Sequence, residues 1–121
     1  MYDYRGLISY KKAFELALLI YHTSKTFPSE ERFSLTDQMR RSSRSVCTNI
    51  AEAYRKRRYR NHFISKLSDA DSENSETGVW MDFCLELKLI NNLQYEAMTT
   101  LNKEVGRILA FMINHPERFG V

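Results

Sequence analysis

The residues best suited to chemistry form a dense run of basic side chains in the middle of the chain. Residues 40 to 66 contain nine Lys or Arg against one Glu, a local charge of about +8. Arginine presents a planar fork of N–H donors that matches the oxygens of phosphate. The run therefore predicts phosphate contact, and its candidates are Arg40, Arg41, Arg44, Arg55, Lys56, Arg57, Arg58 and Arg60.

This basic run also has an explanation that needs no partner. Cations near the C-terminal end of a helix are favourable by ~0.3–1 kcal/mol each, which accounts for Arg55 and Lys56 if a helix ends there. It does not account for Arg58 and Arg60, which approach the positive N-terminal end of the next helix. We therefore expect a nucleic-acid partner, with Tyr54 beside the run as a candidate for stacking on bases, together with Tyr59.

The kind of binding follows from what the chain lacks and from how its charge is distributed. No helix-turn-helix, zinc finger or RNA-recognition motif is recognisable, so binding should rest on the phosphate backbone and weaken with salt. The net charge is only +3. Residues 67 to 104 carry eight carboxylates and two lysines, about −6 locally. A polyanion is therefore expected at one end of the molecule, and the sequence leaves RNA and DNA open.

Polar residues also fall where helices should meet. The carboxylates Glu52, Glu73 and Glu76 could converge inside the molecule. Structural pairing with Arg40, Arg41 or Arg44 on the second helix explains them more simply than acid–base catalysis does. A buried ion pair of that kind fixes the register between helices. The residues predicted to form a polar network inside the molecule are Gln38, Asn49, Glu52 and Glu76.

Other chemistry finds no support in the residue pattern. Di-iron helical bundles use Glu-x-x-His pairs, but no Glu lies three residues before any of the three histidines. No nucleophile–base layout and no glycine-rich phosphate loop is recognisable. We therefore predict no metal, no cofactor and no enzymatic activity.

The compartment is inferred from cysteine usage and hydropathy. Cys47 and Cys84 fall in helix-patterned segments without metal-type spacing, and are read as buried free thiols suited to a reducing cytoplasm. No long apolar run indicates a transmembrane helix. The first residues lack the layout of a signal peptide. A cytoplasmic protein without membrane contact is expected.

Four amphipathic segments joined by short connections predict an all-α fold, an antiparallel up-down-up-down four-helix bundle forming a single domain over residues 1–121. The first helix should cover residues 8 to 26. The second should begin between Glu30 and Leu35, with Ser34 as a cap, and end near Lys56. The third should cover residues 61 to 88, with Gly78 as a close-packing or local-bend position. The fourth should follow a cap at Asn92 and end at residue 114.

Apolar and small residues at alternating spacings of three and four predict which helix faces are buried. In the second helix these are Leu35, Met39, Ser42, Val46, Asn49, Ile50 and Ala53. In the third they are Phe63, Leu67, Ala70, Asn74, Thr77, Met81 and Cys84. In the fourth they are Leu93, Ala97, Leu101, Val105, Ile108 and Met112.

The order and spacing of several residues match a known pattern. They are Phe27-Pro28, Glu31, Leu35, Gln38, Arg40-Arg41, Ser45-Val46 and Asn49-Ile-Ala-Glu52. The chain resembles the four-helix-bundle proteins encoded by intervening sequences in bacterial 23S ribosomal RNA genes, also labelled ribosomal-protein-like. The resemblance covers nearly the whole chain, although the glycine usual after Asn-Ile-Ala-Glu is Ala53 here.

This resemblance implies properties that the residues alone do not. Family members assemble as homopentameric barrels, and for most no enzymatic activity is known. Related accessory proteins of diversity-generating retroelements bind nucleic acid and a reverse transcriptase through such a barrel. The resemblance therefore implies self-association, an RNA or DNA ligand, and a reverse transcriptase as a candidate protein partner.

A protein–protein adaptor without a nucleic-acid role is the alternative. The chain has more aromatic side chains than one small core needs, and some should cover an interface. An apolar interface would respond little to salt, whereas phosphate binding would weaken steeply. The aromatic residues in question are Tyr2, Tyr4, Tyr10, Phe14, Trp80, Phe83, Phe111 and Phe119.

Overall fold

Four long helices build the computed structural model, which describes residues 3–121. They are α1 (Ile8–Ser24), α2 (Asp37–Arg55), α3 (Arg60–Glu86) and α4 (Asn92–Asn114). Helix α1 packs on α2 and α4, and α3 packs on the same two helices. The short connections and this closed packing are those of a four-helix bundle. The predicted all-α class is confirmed, with no strand in residues 3–121. Tyr2 lies outside the described residues.

The buried faces of α2 and α3 are the predicted ones. Every residue predicted to be buried in these two helices is buried, from Leu35 to Ala53 and from Phe63 to Cys84. The prediction for α4 was partly wrong, because Leu93 is 76% exposed and Ala97 is exposed. Met98 and Leu109 are buried instead, so the apolar stripe of α4 begins later than expected.

The start of α2 differs from the prediction. A π-helical turn, Arg32–Thr36, runs directly into α2, and Thr36 already has helical backbone angles. Because the turn continues into the helix, Ser34 does not cap α2. Its hydroxyl donates to Glu31 Oε1 at 2.8 Å. π-Turns are rare in proteins and frequently occur at functional sites.

The cap of α4 is Asn91 and not Asn92. Asn91 Oδ1 accepts from the backbone N–H of Gln94 at 2.8 Å, and Gln94 Oε1 accepts from the N–H of Asn91 at 2.9 Å. This reciprocal capping box fixes the corner between α3 and α4. Lys88, predicted as the last residue of α3, instead adopts a left-handed conformation with φ of 61°.

Two polar contacts tie the helices together inside the bundle. The hydroxyls of Ser42 and Thr77, both fully buried, lie 2.8 Å apart between α2 and α3. Asn74 and Asn102 each donate to the other's backbone carbonyl at 2.9 Å between α3 and α4. A buried polar side chain is tolerated when its partners are present, so these contacts restrict how α2, α3 and α4 can align.

Gly78 lies in the unbroken middle of α3, and close packing is the one of its two predicted roles that the structure supports. A Cβ atom at Gly78 would lie 3.1 Å from Asn102 Oδ1. The missing side chain therefore lets α4 approach α3 beside the Asn74–Asn102 contact.

Candidate nucleic-acid interface

Helix α2 places four arginines on its outer side. A helix turns about 100° per residue, so Arg40, Arg41, Arg44 and Arg55 fall within an arc of about 100°. We call these four residues the arginine face. Arg44 and Arg55 are separated by about 16 Å along the helix axis. The opposite face of α2 carries Met39, Val46 and other buried residues, so core packing directs the arginines outward.

Arg41 is the member of the arginine face that is engaged by carboxylates. Its Nη2 atom lies 2.8 Å from Glu76 Oε2 and 3.8 Å from Glu73 Oε2, both on α3. Glu76 Oε2 also accepts from the indole N–H of Trp80 at 3.1 Å. The predicted pairing of α3 carboxylates with an α2 arginine is confirmed for Arg41. Much of its charge is therefore compensated within the bundle.

Arg40 and Arg44 are positioned by neutral groups. Both guanidinium groups lie over the ring of Tyr21 on α1, with Cζ 4.8 Å and 5.9 Å from the ring centroid. Arg40 Nε also donates to Ser24 Oγ at 2.8 Å. Among residues 3–121, neither arginine forms a salt bridge. Their positive charge is thus held in place and left uncompensated.

A second basic surface lies at the corner between α2 and α3. Lys56, Arg58 and Arg60 are exposed, and none forms a salt bridge within the described chain. We call these three residues the basic corner. Arg55 lies one residue before it and continues the arginine face toward it. Tyr59, within the corner, is 57% exposed.

Arg57 is placed differently from its neighbours. Its Nε donates to the carbonyl of Tyr54 at 3.0 Å, and its Nη1 donates to the carbonyl of Phe119 at 3.2 Å. Its Cζ lies 3.8 Å from the centroid of the Tyr54 ring. Arg57 therefore joins the corner to the C-terminal segment, and it covers one face of the tyrosine expected to stack on bases.

The four residues predicted as an internal polar network are not brought together as one network. Glu76 links α2 to α3 through Arg41, and Glu52 lies 3.6 Å from Lys66 at the surface. The Asn49 amide donates to the carbonyl of Ser45 in its own helix at 2.9 Å. The Gln38 side chain has no hydrogen bond among residues 3–121 and lines a groove that Trp80 also lines. The helices are instead connected by the Ser42–Thr77 and Asn74–Asn102 contacts.

One feature of the site was missed by the sequence reasoning. A groove of about 510 Å³ opens at the start of α2. Phe33 is 85% exposed, and the Cζ of Arg32 lies 5.7 Å from its ring centroid. The only available signal was a basic–aromatic pair just ahead of a helix. We call this the arginine groove, lined by Arg32, Phe33, Thr36, Asp37, Arg40, Arg41, Arg44, Ser45 and Thr48.

The cysteines match the prediction of buried free thiols. Cys47 and Cys84 are both buried and unbridged. Burial raises the pKa of Cys47 to about 11 and that of Cys84 to about 12. Within residues 3–121 no group of three or more His, Cys, Asp or Glu side chains is placed to hold a metal ion. No helix of the described chain is long and apolar enough to cross a membrane.

Comparisons with known proteins point to one family. The family model described as 23S rRNA-intervening sequence protein matches residues 5–111. A crystal structure of a protein of unknown function from the S23 ribosomal protein family of Bacteroides thetaiotaomicron VPI-5482 is 30% identical, with a TM-score of 0.81. The match covers 88% of this chain and 96% of that one. None of the curated proteins is significantly similar in sequence.

Proposed function

This chain belongs to the 23S rRNA-intervening sequence protein family, and we propose that it is a non-enzymatic, self-associating protein that binds the backbone of RNA or DNA. The observation that supports this most directly is the dense group of cations without salt bridges along α2 and at the α2–α3 corner. The charges of Arg40, Arg44 and the basic corner are not compensated, because no carboxylate of residues 3–121 forms a salt bridge with them.

Phosphate is the partner that suits this surface. An arginine fork donates hydrogen bonds to two phosphate oxygens at once, and its charge releases counterions from the nucleic acid. Arg44 and Arg55 are about 16 Å apart along α2, and the arginine face and the basic corner together are longer than that. A surface of this length suits a polymer of phosphates better than a single anion. Affinity should fall by orders of magnitude as salt rises, because several phosphate contacts are lost together.

Self-association would increase the binding strength. Several copies of one basic surface on one particle raise the effective concentration of each phosphate contact. Exposed apolar side chains that a neighbouring copy could cover include Phe14, Leu18, Phe83 and Leu87, each between 45% and 54% exposed. The pentamer expected from the resemblance is part of this proposal.

The proposal is tested by fluorescence-anisotropy titration of a labelled RNA hairpin and a DNA duplex at low and high salt. The variant Lys56→Glu/Arg58→Glu/Arg60→Glu should abolish binding at low salt while keeping the helical circular dichroism spectrum. Arg57 is left unchanged because it anchors the C-terminal segment.

The matched control is Lys88→Glu/Lys103→Glu/Arg107→Glu. It makes the same change in net charge at exposed positions on α4 and at the α3–α4 corner. If both triple variants weaken binding equally, the effect comes from net charge and the proposed surface is wrong. Wild-type protein that binds neither probe at low salt would contradict the nucleic-acid function itself.

A protein–protein adaptor is the second candidate. It is favoured by an apolar groove of about 570 Å³, whose lining includes Leu35, Trp80, Phe83 and Leu87. The relation of retroelement accessory proteins to this family, which the sequence resemblance implies, makes a reverse transcriptase a candidate partner there. Binding of such a partner should survive high salt, because an apolar contact is little affected by ionic screening.

A further inference from the structure

Phe33 is the most exposed large hydrophobic side chain among the described residues, at 85%. It lies within the arginine groove, with Arg32, Arg40, Arg41 and Arg44 among the lining residues. The Arg32 guanidinium flanks its ring at 5.7 Å. An exposed aromatic ring among positive charges is the arrangement by which proteins stack unpaired bases while holding the adjoining phosphates.

We propose that the arginine groove binds one unpaired nucleotide of a nucleic-acid strand, with the base stacked on Phe33 and its phosphate held by Arg40 and Arg44. This inference rests on the proposed function and deepens it. The nucleic acid bound at the arginine groove must then be single-stranded. Backbone contact at the basic corner needs no unpaired base.

The phosphate half of the groove is built before any ligand arrives. The Tyr21 ring supports both guanidinium groups, and Ser24 fixes Arg40 through a hydrogen bond of 2.8 Å. Since Arg40 and Arg44 are one helical turn apart, their side chains lie on the same side of α2. Side chains that are already ordered lose less conformational entropy on binding.

The stacking half is supplied by the π-turn. Arg32–Thr36 buries Leu35 and Thr36 against the bundle and leaves Phe33 directed to solvent. Covering Phe33 with an apolar protein surface would also desolvate the neighbouring arginines, which is costly without paired charges. A nucleotide avoids that cost because it brings a flat apolar base and a negative charge together.

The volume of the arginine groove and the accessibility of the bases indicate which nucleic acid can bind there. The groove, at about 510 Å³, is within the range of roughly 300–1,000 Å³ typical of small-ligand sites. The bases of a duplex are already stacked on each other and cannot cover Phe33 without unpairing. A single strand offers its bases freely, so Phe33 should matter for single strands and not for duplexes.

The test compares Phe33→Ala with wild type on a labelled single-stranded RNA 12-mer and on the duplex of the same sequence. Phe33→Ala should lower single-strand affinity by roughly 5- to 100-fold, the contribution expected from one stacked base. Duplex affinity should be unchanged. Phe33→Trp should restore single-strand binding because it keeps an aromatic face. The matched control is Phe111→Ala, which removes another exposed phenylalanine, on α4.

Unchanged single-strand affinity in Phe33→Ala, or an equal loss on both probes, would overturn this inference. The proposed function would survive either result if the basic-corner triple variant still abolished binding. Adenosine monophosphate serves as the single-nucleotide probe. If it bound as tightly as the 12-mer, the groove would be a site for free nucleotides and the inference would be wrong.

Discussion

At the scale of single residues, the environment of each arginine matters more than the number of arginines. Arg41 is paired with Glu76 and Arg57 is bound to the carbonyl of Phe119, whereas Arg40 and Arg44 rest on Tyr21 without a carboxylate. The sequence shows that all of these arginines belong to one basic run, but it does not show which of them are paired and which are not. The partners of Arg57 include a residue 62 positions away, which no local pattern can indicate.

The first prediction at this scale concerns Arg44 and Asp37. Among the described residues that line the arginine groove, Asp37 is the one carboxylate. Its negative charge should repel a phosphate bound there. Arg44→Gln should weaken binding of the single-stranded 12-mer and reduce the slope of log affinity against log salt by about 0.7, the loss of one phosphate contact. Asp37→Asn should strengthen binding at low salt, because a like charge is removed.

Both variants are measured by anisotropy at four salt concentrations, with Lys103→Gln as the control for loss of a single exposed cation. Lys103 lies on α4, which does not line the groove. A slope that changes as much in Lys103→Gln as in Arg44→Gln would show that Arg44 acts through net charge alone.

The second prediction concerns the thiols. The ordinary pKa of a cysteine is about 8.5, and burial raises the pKa of Cys47 to about 11 and of Cys84 to about 12. At pH 8 both are therefore almost entirely protonated, and the thiolate is the reactive form. In native protein, reaction with a disulfide reagent should be slow at pH 8, and both thiols should react fast in denaturant. Rapid native labelling of either thiol would contradict its burial.

At the scale of helices, most of the fold could be predicted because the buried faces of α2 and α3 follow strict helical spacing. The start of α4 was predicted one residue too late because two neighbouring residues can both act as its cap. Asn91 and Asn92 are both good caps, and only Gln94, three residues after Asn91, selects the first. The π-turn could not be predicted, because its extra residue per turn leaves no periodic signal.

The internal contacts between helices were also beyond the sequence. Ser42, Asn74 and Thr77 were all predicted to be buried, but their partners depend on how far one helix slides along the next. The structure pairs Ser42 with Thr77, and Asn74 with Asn102. The two charged residues chosen for the network, Glu52 and Glu76, lie nearer the surface and pair with Lys66 and Arg41 there, not with each other.

The third prediction belongs to the α3–α4 contact. Gly78→Ala gains helix propensity of up to ~1 kcal/mol, but its new Cβ would lie 3.1 Å from Asn102 Oδ1. Because Asn102 is held by its hydrogen bond to Asn74, it cannot easily move aside. Gly78→Ala should therefore lower the free energy of unfolding, by about 1 kcal/mol, a cost at the low end for overpacking.

A double-mutant cycle separates the gain in helix propensity at Gly78→Ala from the steric clash with Asn102. Asn102→Ala alone should be destabilising by roughly 1–3 kcal/mol, since it removes the donor to Asn74 Oδ1 and to the Asn74 carbonyl. In the Asn102→Ala background the space beside Gly78 is free, so adding Gly78→Ala should then be stabilising. The free energies come from urea unfolding followed by circular dichroism. If Gly78→Ala has the same effect in both backgrounds, Asn102 is not the obstacle.

At the scale of the whole molecule, the main group of cations and some of the exposed apolar side chains lie on different surfaces. The densest group of cations without a salt bridge lies along α2 and at the α2–α3 corner. Exposed apolar side chains also line other grooves that contain none of these cations, including Phe83 on α3 and Phe111 on α4. Nucleic acid and a second copy of the chain can therefore occupy different surfaces, so one particle can self-associate and bind a strand at the same time.

This separation leads to the last prediction, that assembly and nucleic-acid binding respond differently to salt. Apolar contacts change little with ionic strength, whereas phosphate contacts weaken steeply. Sedimentation velocity at micromolar concentration should show an oligomer at both 0.1 M and 1 M salt, under conditions where anisotropy shows binding only at the lower value. A monomer at 0.1 M salt would contradict self-association. An oligomer that dissociates at 1 M would show that its subunits are held by charge, and the arginine face would then be a candidate for the contact between copies.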